Sequence, residues 1–328
     1  MYTNDQRCRL WLAFSDSLTY KGKARLLQHA GSASQAFEGF SISFQQLVGP
    51  KAYEELAQLK REGLDALEQT LASSHIQVLF QEDAVFPQLL KEIIDPPDLF
   101  FYRGTMASPQ EKALAIIGSR RETRYGREQA RGIALDLAGQ GVTIVSGLAY
   151  GIDHAAHQGA LDSGGRTIAV LGSGLNNLYP RDHGPLAEQI VQSGGAVISE
   201  LPPHSQPLAY HFPFRNRIVS GLSQGVLLIE AREKSGTLIT VGHALAQGRE
   251  VFALPGPVDS PGSMVPHRFL REGARLATCA QDILEDMGWD LREEQLALPL
   301  ELPLPDLTNI QQRIYDALCG EPQSFDSL

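Results

Sequence analysis

Ala113-Leu114-Ala115-Ile116-Ile117-Gly118-Ser119-Arg120 decides the fold. Five apolar residues end in a glycine turn, and a helix-like stretch follows over Tyr125–Ala138. The same unit recurs along the chain. Short runs rich in Val, Ile and Leu stand at Val142–Val145, Thr167–Leu171, Ala196–Ile198, Gly225–Ile229 and Glu250–Leu254. Helical patterns at Asp153–Leu161, Pro185–Gln192, Asn216–Leu222 and Leu238–Ala246 separate them. Near-continuous apolar strands alternating with helices predict parallel βαβ units, an α/β chain with a doubly wound sheet covered on both faces.

Around this centre the pattern differs. Residues 1–72 read as a small all-α domain, with apolar spacing of three and four at Leu10–Phe14, Ala24–His29 and Tyr53–Leu71. Leu47-Val48-Gly49-Pro50-Lys51-Ala52 resembles the hairpin of a helix–hairpin–helix unit, but it better suits a bundle turn with Pro at the first helical position. Ile76–Phe80 predicts a strand, and residues 73–288 form the sheet domain. Residues 289–306 read as an acidic Leu/Pro-rich linker. Residues 307–328 read as one amphipathic helix, too little to bury a core of its own.

The chain of 328 residues has a formal charge of −10, which by itself argues against a polyanionic partner. The distribution reverses that inference. Residues 282–306 alone carry −7, whereas residues 108–281 carry 16 basic and 14 acidic side chains, and 14 of those cations are arginine. Arginine suits bidentate phosphate contact and stacking. No apolar run approaches the ~20 residues of a membrane span. The three scattered cysteines, Cys8, Cys279 and Cys319, suit a reducing compartment, so a cytoplasmic protein without a membrane partner is expected.

In an open parallel sheet ligands bind beyond the carboxyl ends of the strands. Those positions hold Gly118-Ser119-Arg120, Ser146-Gly147, Gly172-Ser173-Gly174, Ser199-Glu200, Glu230 and Pro255-Gly256. Glycine permits close backbone approach, and amides at helix starts attract anions. Cations converge there from four loops: Arg120 and Arg121, Arg181, Arg215 and Arg217, and Lys234. Such an edge suits a polyanion, and Tyr179, Tyr210, Phe212 and Phe214 are candidates for stacking on bases. Sharper catalytic signals fail. Gly221-Leu222-Ser223-Gln224-Gly225 spells a nucleophile elbow in the wrong structural order, and His154 and His157 lack a zinc motif. No Walker sequence and no complete dinucleotide fingerprint occurs, so neither a cofactor nor a metal is expected.

Taken together, these blocks resemble the DNA-processing protein A (DprA, or Smf) family. The resemblance runs through Ile117–Arg120 with Tyr125-Gly126, Ser146–Asp153 with Ala156-His157, Leu171–Gly174 through Tyr179-Pro180, and Ser199-Glu200. It continues through Phe212–Ile218, Glu230-Ala231, Ser235–Thr240 and Gly248–Gly256. It implies an extended Rossmann-like domain that binds and protects single-stranded DNA, helps load the RecA recombinase in natural transformation, and forms homodimers through this domain. Together with the failed catalytic motifs, this reads as a binding protein without enzymatic turnover. A sterile-alpha-motif-like domain in front and a winged helix behind would fit the two flanks, the latter incomplete here. By motif and charge the DNA-binding residues are Gly118, Ser119, Arg120, Arg121, Arg181, Phe212, Arg215, Asn216, Arg217, Lys234, Ser235 and Gly236. Ala209 stands where some relatives have lysine. The rival reading is a nucleotide-binding hydrolase of the lysine-decarboxylase-like (nucleoside monophosphate phosphoribohydrolase) group. Its catalytic carboxylate would fall at Thr240 here, leaving Glu230 as a substitute.

Overall fold

The computed structural model describes residues 2–106, 108, 110–233, 235–289, 308 and 311. The chain divides into two compact units, Met1–Asp286 and Met287–Leu328. The expected linker and terminal helix lie almost wholly outside the described residues, and so does Lys234.

The first unit begins with helices α1 (Asn4–Ala13), α2 (Tyr20–Ala30), α3 (Ala33–Glu38), α4 (Gln45–Val48), α5 (Pro50–Glu62) and α6 (Leu64–Ser73). Then come β1 (Gln77–Phe80), α7 (Gln88–Lys91), β2 (Leu99–Gly104), β3 (Ala113–Ile117), α8 (Arg124–Gly139), β4 (Thr143–Ser146), α9 (Ile152–Asp162) and β5 (Thr167–Val170). The remainder is α10 (Gly184–Gln192), β6 (Ala196–Ser199), α11 (His211–Gly221), β7 (Gly225–Leu228), α12 (Thr237–Ala246), β8 (Glu250–Ala253), α13 (Met264–Arg271), β9 (Arg275–Leu276) and α14 (Ala280–Asp286).

All nine strands join one sheet in the order β1-β2-β6-β5-β4-β3-β7-β8-β9. The six runs read from the sequence are its centre, and they pair in parallel, with Ala115 opposite both Val145 and Val226. Strand order reverses between β3 and β7, which places a crevice at their carboxyl ends. Two strands escaped the sequence reading. β2 runs antiparallel to both β1 and β6, and the two-residue β9 extends the far edge. An antiparallel partner is not announced by a βαβ rhythm, and Asp95-Pro96-Pro97 masks the start of β2. Alternate residues of β2 serve opposite faces: Phe100 joins Leu90, Ile117 and Val145, while Leu99 and Phe101 join Phe80, Leu171 and Ile190.

The expected single helix over Tyr53–Leu71 is two helices, broken at Gly63, whose φ of +89° only glycine adopts without strain. Gly49-Pro50 opens α5 with Pro at its start, as a bundle turn does. Helix α1 is buried on two sides. Leu10 enters the sheet core, whereas Trp11 and Leu12 enter the bundle core, where the Trp11 indole donates to the Leu56 carbonyl at 2.8 Å. Arg9 and Lys23 both pair with Asp98 beside β2, so ionic contacts reinforce this seam.

Behind the sheet, α8 and α9 pack closely enough that a Cβ on Gly159 would meet the Arg131 carbonyl at 2.2 Å. His157 is fully buried in α9. Its Nδ1 lies 2.7 Å from the Thr167 hydroxyl, and its Nε2 has no partner. Burial, aided by His154, His183 and Arg215, drives its pKa down to about 3. An unfolded chain takes up this proton near the ordinary histidine value of about 6.5, while the folded chain refuses it. Its contribution is therefore complete above pH 6.5 and is lost progressively as pH falls toward 3. We predict that between pH 7 and 5 this group removes about 2 kcal/mol of unfolding free energy. His157→Gln, which cannot titrate, should show a flatter dependence by that amount in urea titrations. Equal slopes for the two proteins would contradict this.

Candidate functional site

At the crevice between β3 and β7 the loops open into a cavity of about 790 Å³. Gly118–Arg121 line it from the end of β3, Gly147 and Asp153 from β4 and α9, and Arg232 with Ser235–Thr237 from β7 and α12. Helix α11 supplies Phe212, Arg215, Asn216 and Val219, whose three- and four-residue spacing puts them on one helical face. The sequence reading started this helix at Asn216. It starts at His211, because Pro213 needs no amide partner in the first turn.

The floor is a buried charge network. Arg215 is 6% exposed, and its Nη1 donates to the carbonyls of Gly147 (2.9 Å) and Val170, at the ends of two neighbouring strands. Asp153 Oδ2 accepts from the amides of Gly147 (3.1 Å) and Ala149 (3.3 Å). Gly147 lies between the two charges; a Cβ there would stand 2.6 Å from Arg215 Nη2 and 2.8 Å from Asp153 Oδ2. Burial lowers the Arg215 guanidinium to about 10, opposed by Asp153, so it stays protonated at neutral pH. Burial also raises the Asp153 carboxyl, opposed by Arg215 and the two amides. Each charge moderates the desolvation of the other.

The walls are of a different character. The amides of Gly118, Ser119, Arg120 and Gly236 have no hydrogen-bond partner among the described residues. Arg120, Arg121 and Arg232 are exposed and make no ion pair among the described residues. The Arg120 guanidinium lies over the Phe212 ring at 5.4 Å, and Tyr179 meets that ring edge-on at 5.7 Å. By contrast Arg124, Arg127 and Arg131, further along α8, are paired with Glu128, Glu122 and Asp162. Free amides and arginines without an ion pair, around one cavity, are groups of the kind that suit phosphate oxygens, and aromatic rings such as Phe212 and Tyr179 are of the kind that suit a flat ring.

Of the residues expected at a ligand edge, Gly118, Ser119, Arg120, Arg121, Phe212, Arg215, Asn216, Ser235 and Gly236 come together here. Arg181 and Arg217 do not. Arg181 is exposed beyond the cavity, and Arg217 is buried on another face of α11, paired with Glu200 at 2.8 Å and stacked 3.9 Å from the Phe214 ring. Arg232 and Asp153 were missed. Arg232 stands among like residues with nothing to single it out, and an acidic side chain in a helical first turn reads as ordinary. The catalytic alternatives are structurally occupied. Glu230 is 3% exposed and receives the amide (2.9 Å) and hydroxyl (2.5 Å) of Thr123 at the start of α8. Ser223 is buried and donates to the Val219 carbonyl at 3.1 Å. Among the described residues no cluster of His, Cys, Asp and Glu could hold a metal ion, and no helix is long and apolar enough to cross a membrane.

The family model for DNA recombination-mediator protein A matches residues 77–288. Protein Smf of Escherichia coli K12 is 48% identical over 206 residues, which are 63% of this chain and 55% of that protein, so the match spans about half of that relative. The solved structure of DNA processing protein A from Streptococcus pneumoniae superposes with a TM-score of 0.71 at 34% identity, covering 87% of this chain and 98% of that one. DNA processing protein A from Helicobacter pylori, described for its single-stranded DNA binding mode, superposes with a TM-score of 0.58 at 29% identity, over 66% of this chain and 98% of that one.

The floor and the walls should respond differently to mutation. Arg215→Met leaves two carbonyls unpaired and strands Asp153, and it should cost about 3–5 kcal/mol in denaturant titration. Arg121→Ala, on the exposed wall, should stay within about 0.5 kcal/mol. Similar losses in both would contradict this division.

Proposed function

We propose that this chain, which belongs to the DNA recombination-mediator protein A family, binds single-stranded DNA in the cavity at the end of β3. By its family it is a DNA-processing protein. In our reading it protects incoming DNA during natural transformation and helps load the RecA recombinase. It works in the cytoplasm as a homodimer through its Rossmann-like domain and makes or breaks no covalent bond. Support comes from the H. pylori relative, which binds single-stranded DNA, and from the overall likeness to the S. pneumoniae protein.

The observation that carries the reading is the pairing of free amides with unpaired arginines along one cavity wall. Phosphate oxygens would lie against Gly118–Arg120 and Gly236, between Arg120, Arg121 and Arg232. A base would lie toward Phe212 and Tyr179, a contact worth about 1–3 kcal/mol. Arg215 acts from beneath: its Nη1 is committed to carbonyls, so it shapes the floor and adds a positive potential.

The hydrolase alternative has less to stand on, since both oxygens of Glu230 are engaged by Thr123. Release of free base from AMP by the purified chain would revive it.

Arg120→Ala should weaken single-strand binding by about tenfold whatever the base sequence, and should reduce the salt slope by about one counterion. Filter-binding titrations over a salt series read both. Unchanged affinity and slope would remove Arg120 from the site.

A further inference from the structure

The outer wall of the cavity is the loop between β6 and α11, where Pro207 and Ala209 line the opening and Tyr210 stands 65% exposed. Pro202, Pro203 and Pro207 deny this loop a regular ladder. Its anchor is Ser205, which is fully buried. The Ser205 amide donates to the Pro202 carbonyl at 2.9 Å, and its own carbonyl accepts from the Gly174 amide at 2.9 Å. The Ser205 hydroxyl donates to Asp16, 189 positions away in the helical region. Asp16 is itself held in place. On either side of it, the hydroxyls of Ser15 (2.8 Å) and Ser17 (2.6 Å) and the Ser17 amide (3.0 Å) all donate to Glu55 of α5. A continuous path thus runs from α5 through Glu55 and Asp16 to Ser205 and the wall of the cavity.

We propose that Asp16 is a positioning residue through which the helical region sets the affinity of the cavity for single-stranded DNA. The inference rests on the reading of that cavity as the DNA site. Without the Asp16 acceptor, the buried Ser205 hydroxyl loses its partner, and the wall over Pro207–Tyr210 must be ordered at the moment of binding. The coupling is reciprocal: a strand in the cavity steadies Ser15–Leu18, and whatever displaces that segment weakens the hold on DNA.

The sign of the effect separates this device from plain electrostatics. Asp16 is acidic and does not line the cavity. If it acted only through its charge, Asp16→Ala would tighten DNA binding. Positioning demands the opposite. With the full chain and a fluorescent thymidine oligonucleotide, Asp16→Ala and Ser205→Ala should each weaken binding about tenfold, and the double variant should be no weaker than either single one. Asp16→Asn, which keeps an acceptor, should stay within about twofold of the parent. In the unmodified chain, the oligonucleotide should slow amide exchange at Ser15–Leu18; this readout needs no variant to fold. Equal or tighter binding by a folded Asp16→Ala chain, additive losses in the double variant, or exchange unaffected by the oligonucleotide would each overturn the proposal while leaving the site intact. Failure of the unmodified chain to bind the oligonucleotide would overturn the site and the coupling together.

Discussion

Arg215 is the residue on which the site depends. A guanidinium buried among strand ends is costly unless its protons and its charge are both answered. Here the Gly147 and Val170 carbonyls answer the protons, and Asp153, holding the amides of Gly147 and Ala149, answers the charge. The two side chains tie the carboxyl ends of β4 and β5 to the start of α9 and to α11. That joint sets the depth of the crevice. It also explains the glycine at 147, where any side chain would collide with both charges. A floor held by internal bonds leaves the walls to carry cations that form no ion pair among the described residues. The proposed phosphate contacts rest on this division between committed and available arginine.

The same distinction resolves the charge balance. Of the net −10, −7 falls on residues 282–306, and within the sheet unit carboxylates engage some of the arginines and leave others without an ion pair among the described residues. Glu128, Glu122 and Asp162 engage three arginines of α8, and Glu200 engages Arg217. Arg120, Arg121 and Arg232 are left at the cavity. Counting basic residues on a sheet edge therefore overstates the number that a ligand meets. Local fields follow the unpaired charges and their distance from solvent, rather than the total.

The sequence made the centre of the fold legible because a parallel strand buried on both faces must be apolar throughout, and six such runs separated by helices admit few other arrangements. The placement of Gly118–Arg120 at the crevice followed from the rule for strand ends, and that of Ser235-Gly236 from the family resemblance. Other features were hidden for physical reasons. The antiparallel β2 is specified by partners distant in the chain. The first turn of α11 tolerates Pro213, so the helix begins earlier than the punctuation suggested, and its face is fixed only once that start is known. Arg215 and Arg217 are near neighbours in sequence, yet helical geometry sends one to the cavity floor and the other to Glu200. Arg232 carries no local signature and emerges only from its position. The two-sided burial of α1 likewise needs both cores in view.

The central question is whether the cavity recognises an unpaired strand. A mobility shift comparing single- and double-stranded oligonucleotides of one sequence across a salt series tests this directly. A site built of phosphate-binding walls with accessible ring faces should prefer the single strand at every salt concentration, and its affinity should fall steeply as salt rises. Equal binding of the two forms, or binding of the single strand that is indifferent to salt, would contradict it.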